Sequence, residues 1–173
     1  ASDVYKRQEW DIDAAEKGGY EFFMLKEMYE QPQAVGDTLN PRIKDGNVVI
    51  EELGMSDDEI RSIRKIYMIA CGSAYHTCVS AKYVFEGLAR IPVEVDLASE
   101  FRYRHPIYEP DTLAIIVSQS GETADSLAAL REAKEHGIKV LGIVNVVGSS
   151  IAREADNVMY TWAGPEIAVA TTK

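Results

Sequence analysis

Five short apolar runs separated by segments of helical periodicity constrain this chain more than any other feature. The runs are "KIYMIA" from Lys65, "PVEVDLA" from Pro92, "DTLAIIV" from Asp111, "KVLGIVN" from Lys139 and "NVMYTW" from Asn157. Between them lie "GSAYHTCVSAKYVFEGLA", a short helical turn near "SEFRY", "ETADSLAALREAKEHG" closed by Gly137, and "SSIAREAD". Strands of a parallel sheet are covered on both faces, so they read as continuous apolar runs, and each needs a crossover to reach the next. The pattern predicts an α/β fold: a doubly wound, five-stranded parallel sheet with helices on both faces. The strands are expected near 65–71, 93–97, 113–118, 139–145 and 157–161. The flavodoxin-like strand order 2-1-3-4-5, common for five strands, is adopted as the working topology.

The chain ahead of the sheet has a different character. From Tyr20, "YEFFMLKEMYEQPQAVGDTL" sets Phe22, Leu25, Met28 and Tyr29 at helical spacing. Pro32 predicts that this helix ends or kinks near Gln31, with a second helical piece to Leu39. "NPRIKDGN" reads as a linker from its Pro, Gly, Asn and Asp content. Ser56 and Glu59 in "SDDEI" have the spacing of a capping box that opens the next helix. Residues 1–55 are therefore read as a leader, a helical lead and a linker, and residues 56–173 as the sheet domain; "ASDVYKRQ" at the start has no pattern.

Charge and composition exclude several partners. The formal net charge is -10, with no local cluster of Lys or Arg to offset it, which disfavours nucleic acid and anionic lipid. No apolar run approaches the roughly 18 to 20 residues of a membrane helix. Cys71 and Cys78 form neither a disulfide framework nor a metal-ligand spacing, so a reducing cytoplasm is the default setting. His76, His105 and His136 have no metal spacing either, and no metal or cofactor is expected.

A doubly wound sheet binds ligands beyond the carboxyl ends of its strands, where the strand order reverses. In the order adopted here, that point lies between the first and third strands, whose turns are "CGSA" (71–74) and "SQSGET" (118–123). A helix N-terminus offers unpaired N–H groups and partial positive charge, a setting suited to an anion. Ser118, Ser120 and Thr123 add hydroxyl donors, Gln119 adds an amide, and Gly121 lets the backbone approach a ligand closely. The phosphate-loop pattern GxxxxGK[ST] is missing, which turns the reading from a nucleoside triphosphate to a phosphomonoester. The competing structural reading has Ser118 and Ser120 merely capping the helix. Cys71 reads as a buried small hydrophobe rather than a nucleophile. The basic island Arg102–His105 is expected to pair with Glu100 or a neighbouring subunit, and Ser149 or Ser150 to cap the short helix that follows.

The stretches "GGYEFFMLKEMYEQP", "ACGSAYH", "ASEFRYR", "SQSGETADSL" and "GPEIAVATTK" resemble the sugar isomerase (SIS) domain family. Within it they are most similar to the first SIS lobe in the isomerase half of the glutamine–fructose-6-phosphate aminotransferases, the glucosamine-6-phosphate synthases. The resemblance runs from about Glu16 to Lys173. It implies a lobe that binds fructose 6-phosphate or glucosamine 6-phosphate through Ser73, Ala74, Ser118, Gln119, Ser120 and Thr123, with Val169 touching the sugar. The family's first turn usually reads Cys-Gly-Thr-Ser; with Ala74 here one hydroxyl is gone and only backbone contact is left at that position. The resemblance further implies that the glutaminase and the second SIS repeat, which carries the acid/base residues, lie outside this chain. No catalytic residue is then expected within it; Glu122 and Glu166 are the nearest candidates and have no evident partner in the sequence. A homodimer is expected, through apolar surface around Phe22 and Met28 and near 166–173. The alternatives are a stand-alone phosphosugar-sensing SIS module, which usually lacks the "YEFFMLKEMYEQP" segment, and a dimerisation module without ligand or catalysis, which titration with fructose 6-phosphate would separate from the others.

Overall fold

The computed structural model describes residues 16–168 and 172–173. The chain forms two compact units: Glu51–Met159, and the described residues up to Ile50 together with those from Tyr160 on.

The second of these is built on helix α1 (Phe23–Leu39), followed by strands β1 (Ile43–Lys44) and β2 (Asn47–Val48). A single helix carries through Pro32, where the sequence predicted an end or kink near Gln31. Proline withholds one helical hydrogen bond. Side chains on both sides of it, however, are tied to the 160–173 segment. Glu27 accepts from the amides of Ile167 (2.6 Å) and Ala168 (3.0 Å) and from the Thr172 hydroxyl. Gln31 donates to the Thr172 carbonyl, Thr38 to that of Thr161, and Arg42 to that of Tyr160. The helix buries Lys26, Glu27 and Ala34, and leaves Phe22, Met28 and Tyr29 exposed. The stretch read as a linker holds a small antiparallel hairpin, pairing Ile43 with Val48 and Lys44 with Asn47. Its turn residues Asp45 and Gly46 both have positive φ (51° and 77°), the geometry of the Asp-Gly hairpin turn.

The larger unit opens with α2 (Asp57–Ser62). Ser56 Oγ accepts the Glu59 amide at 3.3 Å and the Glu59 carboxylate accepts the Ser56 amide at 2.8 Å, the capping box expected there. Then come β3 (Lys65–Ala70), α3 (Gly72–Leu88), β4 (Val93–Leu97), α4 (Ala98–Phe101), β5 (Thr112–Ser118), α5 (Ala124–Glu135), β6 (Lys139–Val144), α6 (Ser150–Glu154) and β7 (Asn157–Tyr160). The strands form one five-stranded parallel sheet in the order β4-β3-β5-β6-β7, which is the 2-1-3-4-5 order expected.

Alternation along each strand divides the core between the two faces. Ile66, Met68, Leu113, Ile115 and Leu141 cluster with Cys78 of α3 on one face, where burial pushes the Cys78 thiol up to about 11. Elsewhere in the core Tyr67 meets Phe101 edge-on at 5.4 Å, and Phe101 meets Tyr108 at 6.3 Å. The basic island does not pair with Glu100. Arg102 reaches Asp125 on α5 at 2.9 Å, and Arg104 binds Glu94 and Asp96, which share one face of β4. His136 packs its ring on Tyr108 at 4.4 Å. Among the described residues no helix is long and apolar enough to cross a membrane, and no group of three His, Cys, Asp or Glu could hold a metal.

Candidate functional site

Ala70 of β3 lies in register with Val117 of β5, so the turns leaving these strands emerge side by side where the strand order reverses. Cys71 is the N-cap of α3, with extended backbone, no side-chain cap bond and no acidic residue in the first turn of the 17-residue helix. Its first amides are thus left without the usual capping oxygen. Ser73 is exposed and Ala74 half-buried in that first turn. Cys71 is half-buried rather than part of the core, because the cap position puts it just past the carboxyl end of β3. Its Sγ accepts from the buried Ser126 hydroxyl at 3.8 Å.

The second turn is closed by its own hydroxyls. Ser118, the last residue of β5 and 4 % exposed, accepts the Gly121 amide on its Oγ at 3.1 Å. Ser120 Oγ accepts the Glu122 amide at 3.2 Å. Thr123 is the N-cap of α5, makes no side-chain cap bond, and sets its Oγ1 3.3 Å from Ser118 Oγ. The amides of Gly121 and Glu122 are therefore already engaged by serines. A hydroxyl that accepts an amide keeps its own proton to donate, and a donor chain of this kind is polarised along its length. Amide to hydroxyl to anion is the chemistry the turn can perform. Gln119 and Ser120 are half-buried beside it.

A neighbouring loop grips this turn from the far side. The amide of Asn145 donates to the Gln119 carbonyl and that of Ile151 to the Gly121 carbonyl, each at 3.0 Å. The amide of Ser150 donates to Glu122 Oε1 at 2.7 Å. The Ser150 hydroxyl and then its amide hold the Glu122 carboxyl below the usual carboxylate range. Ser149 occupies the N-cap of α6 but does not cap it; its buried Oγ has no hydrogen-bond partner among the described residues and lies against Gly121. Sequence reasoning missed this grip, since nothing in "NVVGSSIAREAD" marks which turn it faces.

Glu166 is also partnered: its Oε1 accepts the amides of Thr172 (2.8 Å) and Lys173 (3.3 Å). Val169 lies outside the described residues. A groove of about 560 Å³ runs along α3 and β4, lined by Lys65, Tyr75, Val79, Lys82, Tyr83 and Glu94 among others. It contains none of the candidate site residues, and its two lysines are ion-paired, Lys65 with Glu94 and Glu109 and Lys82 with Glu86.

Residues 59–173 match the family model described as SIS domain. A curated relative from Clostridium acetobutylicum, named glutamine–fructose-6-phosphate aminotransferase (isomerizing), is 62% identical over 95% of this chain and 27% of its own length. The chain thus spans about a quarter of the length of that relative. Among solved structures, the C-terminal domain of glucosamine-fructose-6-phosphate aminotransferase from Francisella tularensis is 39% identical with a TM-score of 0.84, over 91% of this chain and 44% of that one. The sugar isomerase domain of an RpiR transcription factor from Sphaerobacter thermophilus, at 21% identity and a TM-score of 0.61 over 79% of this chain and 73% of that one, shares the fold.

Proposed function

Because the chain belongs to the SIS domain family, we propose that it is a phosphosugar-binding lobe whose phosphoryl site is the Ser118–Thr123 turn. The observation that carries this reading is the set of hydroxyls in the turn: Ser118 and Ser120 each accept a backbone amide, which leaves a proton to donate on Ser120 and on one member of the Ser118–Thr123 pair. In an acidic chain with no lysine in either turn, neutral donors and two helix N-termini must carry the anion's charge. Ser118, Ser120 and Thr123 are assigned to the phosphoryl oxygens, Gln119 to a phosphoryl or sugar oxygen, and Ser73 and Ala74 to contacts from the neighbouring turn, Ala74 through its backbone alone. Val169 is assigned to the sugar on the resemblance of its motif. The names of the relatives supply fructose 6-phosphate as the ligand. The whole protein's reaction is then the conversion of fructose 6-phosphate and glutamine to glucosamine 6-phosphate, with this chain as the sugar-phosphate lobe. The similarity to the Clostridium relative covers the lead as well as the sheet, which favours this reading over a stand-alone sensor.

Two further parts of the reading follow from the surface. Phe22, Met28 and Tyr29 stand exposed on the lead, and exposed apolar surface of this kind seeks a partner; a homodimer is the proposed assembly. Two free thiols suit the cytoplasm. Sedimentation showing only monomer at high concentration would remove the dimer.

Calorimetric titration with fructose 6-phosphate tests the ligand and the site together. Ser118→Ala/Ser120→Ala should weaken binding by roughly 10² to 10⁴-fold, at about 1.5 to 3 kcal/mol per charge-assisted bond. Cys71→Ala should bind as the parent does. A double serine variant that folds and binds as the parent does places the site elsewhere.

A further inference from the structure

We propose that Glu122 is a positioning residue, holding the sugar-phosphate turn in its binding shape by gripping Ser150 at the start of α6. The proposal rests on the assignment of the Ser118–Thr123 turn as the phosphoryl site and adds to it a residue that does not itself touch the ligand.

The argument begins with Ser149. Its side chain is buried against Gly121, and its hydroxyl has no partner among the described residues. Burying an unpaired hydroxyl costs free energy, so this contact is held in place by something else. Three hydrogen bonds surround it. Two are backbone to backbone, Asn145 to Gln119 and Ile151 to Gly121. The third joins Glu122 Oε1 to the Ser150 amide at 2.7 Å and engages a side chain of the turn. Glu122 is also tied into the turn through its own amide, which Ser120 Oγ accepts. A shift of Glu122 is therefore felt at Ser120, one of the three hydroxyls assigned to the phosphoryl group. Gly121 between them has φ +66°, a left-handed conformation that glycine adopts freely and other residues do not, so the turn's shape depends on this glycine. The Glu122 carboxylate acts as an acceptor, committed to Ser150, and carries no proton to the sugar.

The test uses titration of this chain with fructose 6-phosphate, with thermal melting beside it. Glu122→Ala should weaken binding by about three- to tenfold, the scale of coupling between residues in contact, while Glu122→Gln, which keeps the acceptor oxygen, restores most of the loss. Ser150→Pro approaches the same contact from the other side. Residue 150 is the first of α6 and Ser149 is extended (φ -62°, ψ 163°), so proline fits there while removing the donor. It should weaken binding as Glu122→Ala does, and the two together should be no worse than either alone. If Glu122→Ala and Ser150→Pro bind as the parent does while Ser118→Ala/Ser120→Ala does not, the positioning role is overturned and the phosphoryl site stands. Glu122→Gln as weak as Glu122→Ala also overturns it, because the acceptor oxygen is then not what matters. If the double serine variant itself binds as the parent does, the site assignment fails and the positioning role with it.

Discussion

Gly121 and Ser149 share a space that admits no further atom: a Cβ on Gly121 would stand 2.0 Å from Ser149 Oγ and 2.6 Å from Ser149 Cβ. Gly121→Ala therefore meets both a collision and a left-handed backbone. Overpacking of about 1–3 kcal/mol and about 1 kcal/mol of conformational cost set its expected destabilisation. Ser149→Gly in the same chain should return the overpacking part, and urea unfolding of the single and double variants measures both. Equal stability of Gly121→Ala and the parent would show that the two loops are not in contact.

Phe101 is fully buried on a four-residue helix and touches both Tyr67 and Tyr108 through ring edges. Phe101→Ala should cost about 3–5 kcal/mol. Chemical denaturation checks it, and a loss under about 1 kcal/mol would mean the aromatic cluster does not hold that face together.

Glu27 gives the lead a pH dependence with a definite sign. Burial pushes its carboxyl up, but the Thr172 hydroxyl and the amides of Ile167 and Ala168 outweigh that and leave it below the ordinary value. A depressed carboxyl contributes stability that is complete above the ordinary carboxylate range and is lost as pH falls through the lowered value. Glu27→Gln should flatten this acid limb, and Glu27→Ala should destabilise at neutral pH by about 1–3 kcal/mol, the cost of donors left unpaired. Unfolding measured from neutral pH downward tests it; parallel curves for the parent and Glu27→Gln would contradict it.

Much of this was legible in the residues, for identifiable reasons. Continuous apolar runs such as "LAIIV" mark buried parallel strands, and the five strands follow that reading; their order matches the common five-strand topology adopted rather than anything in the runs. Ser56 and Glu59 form a local device whose partners lie three residues apart, so their spacing alone reveals it. Pro32 does not end the helix, and side chains on both sides of it are tied to residues more than 120 positions away, among them Thr38 to Thr161. Asp45–Gly46 was a legible hairpin signal inside a stretch weighed only for its composition. At the site, the hydroxyls of the turn could be read from its own sequence. Their bonds to the Gly121 and Glu122 amides are local, three and two residues apart, whereas the loop that grips the turn through Ser150 is brought there by the pairing of β5 with β6.

Both carboxylates nearest to general acid/base candidates are already committed as acceptors, Glu122 to Ser150 and Glu166 to the amides of Thr172 and Lys173. A proton carrier must be free to reach the sugar carbons. This chain alone should neither hydrolyse glutamine nor isomerise fructose 6-phosphate at an enzyme-like rate, and detection of glucose 6-phosphate at ordinary turnover by the purified chain would refute that.

The central claim is the place of the phosphoryl group, and a crystal structure of this chain with fructose 6-phosphate tests it most directly. The account predicts phosphoryl oxygens within hydrogen-bond distance of the Ser118, Ser120 and Thr123 hydroxyls, with Glu122 still bound to Ser150. A phosphoryl group found instead between Lys65 and Lys82, in the groove along α3 and β4, would contradict it.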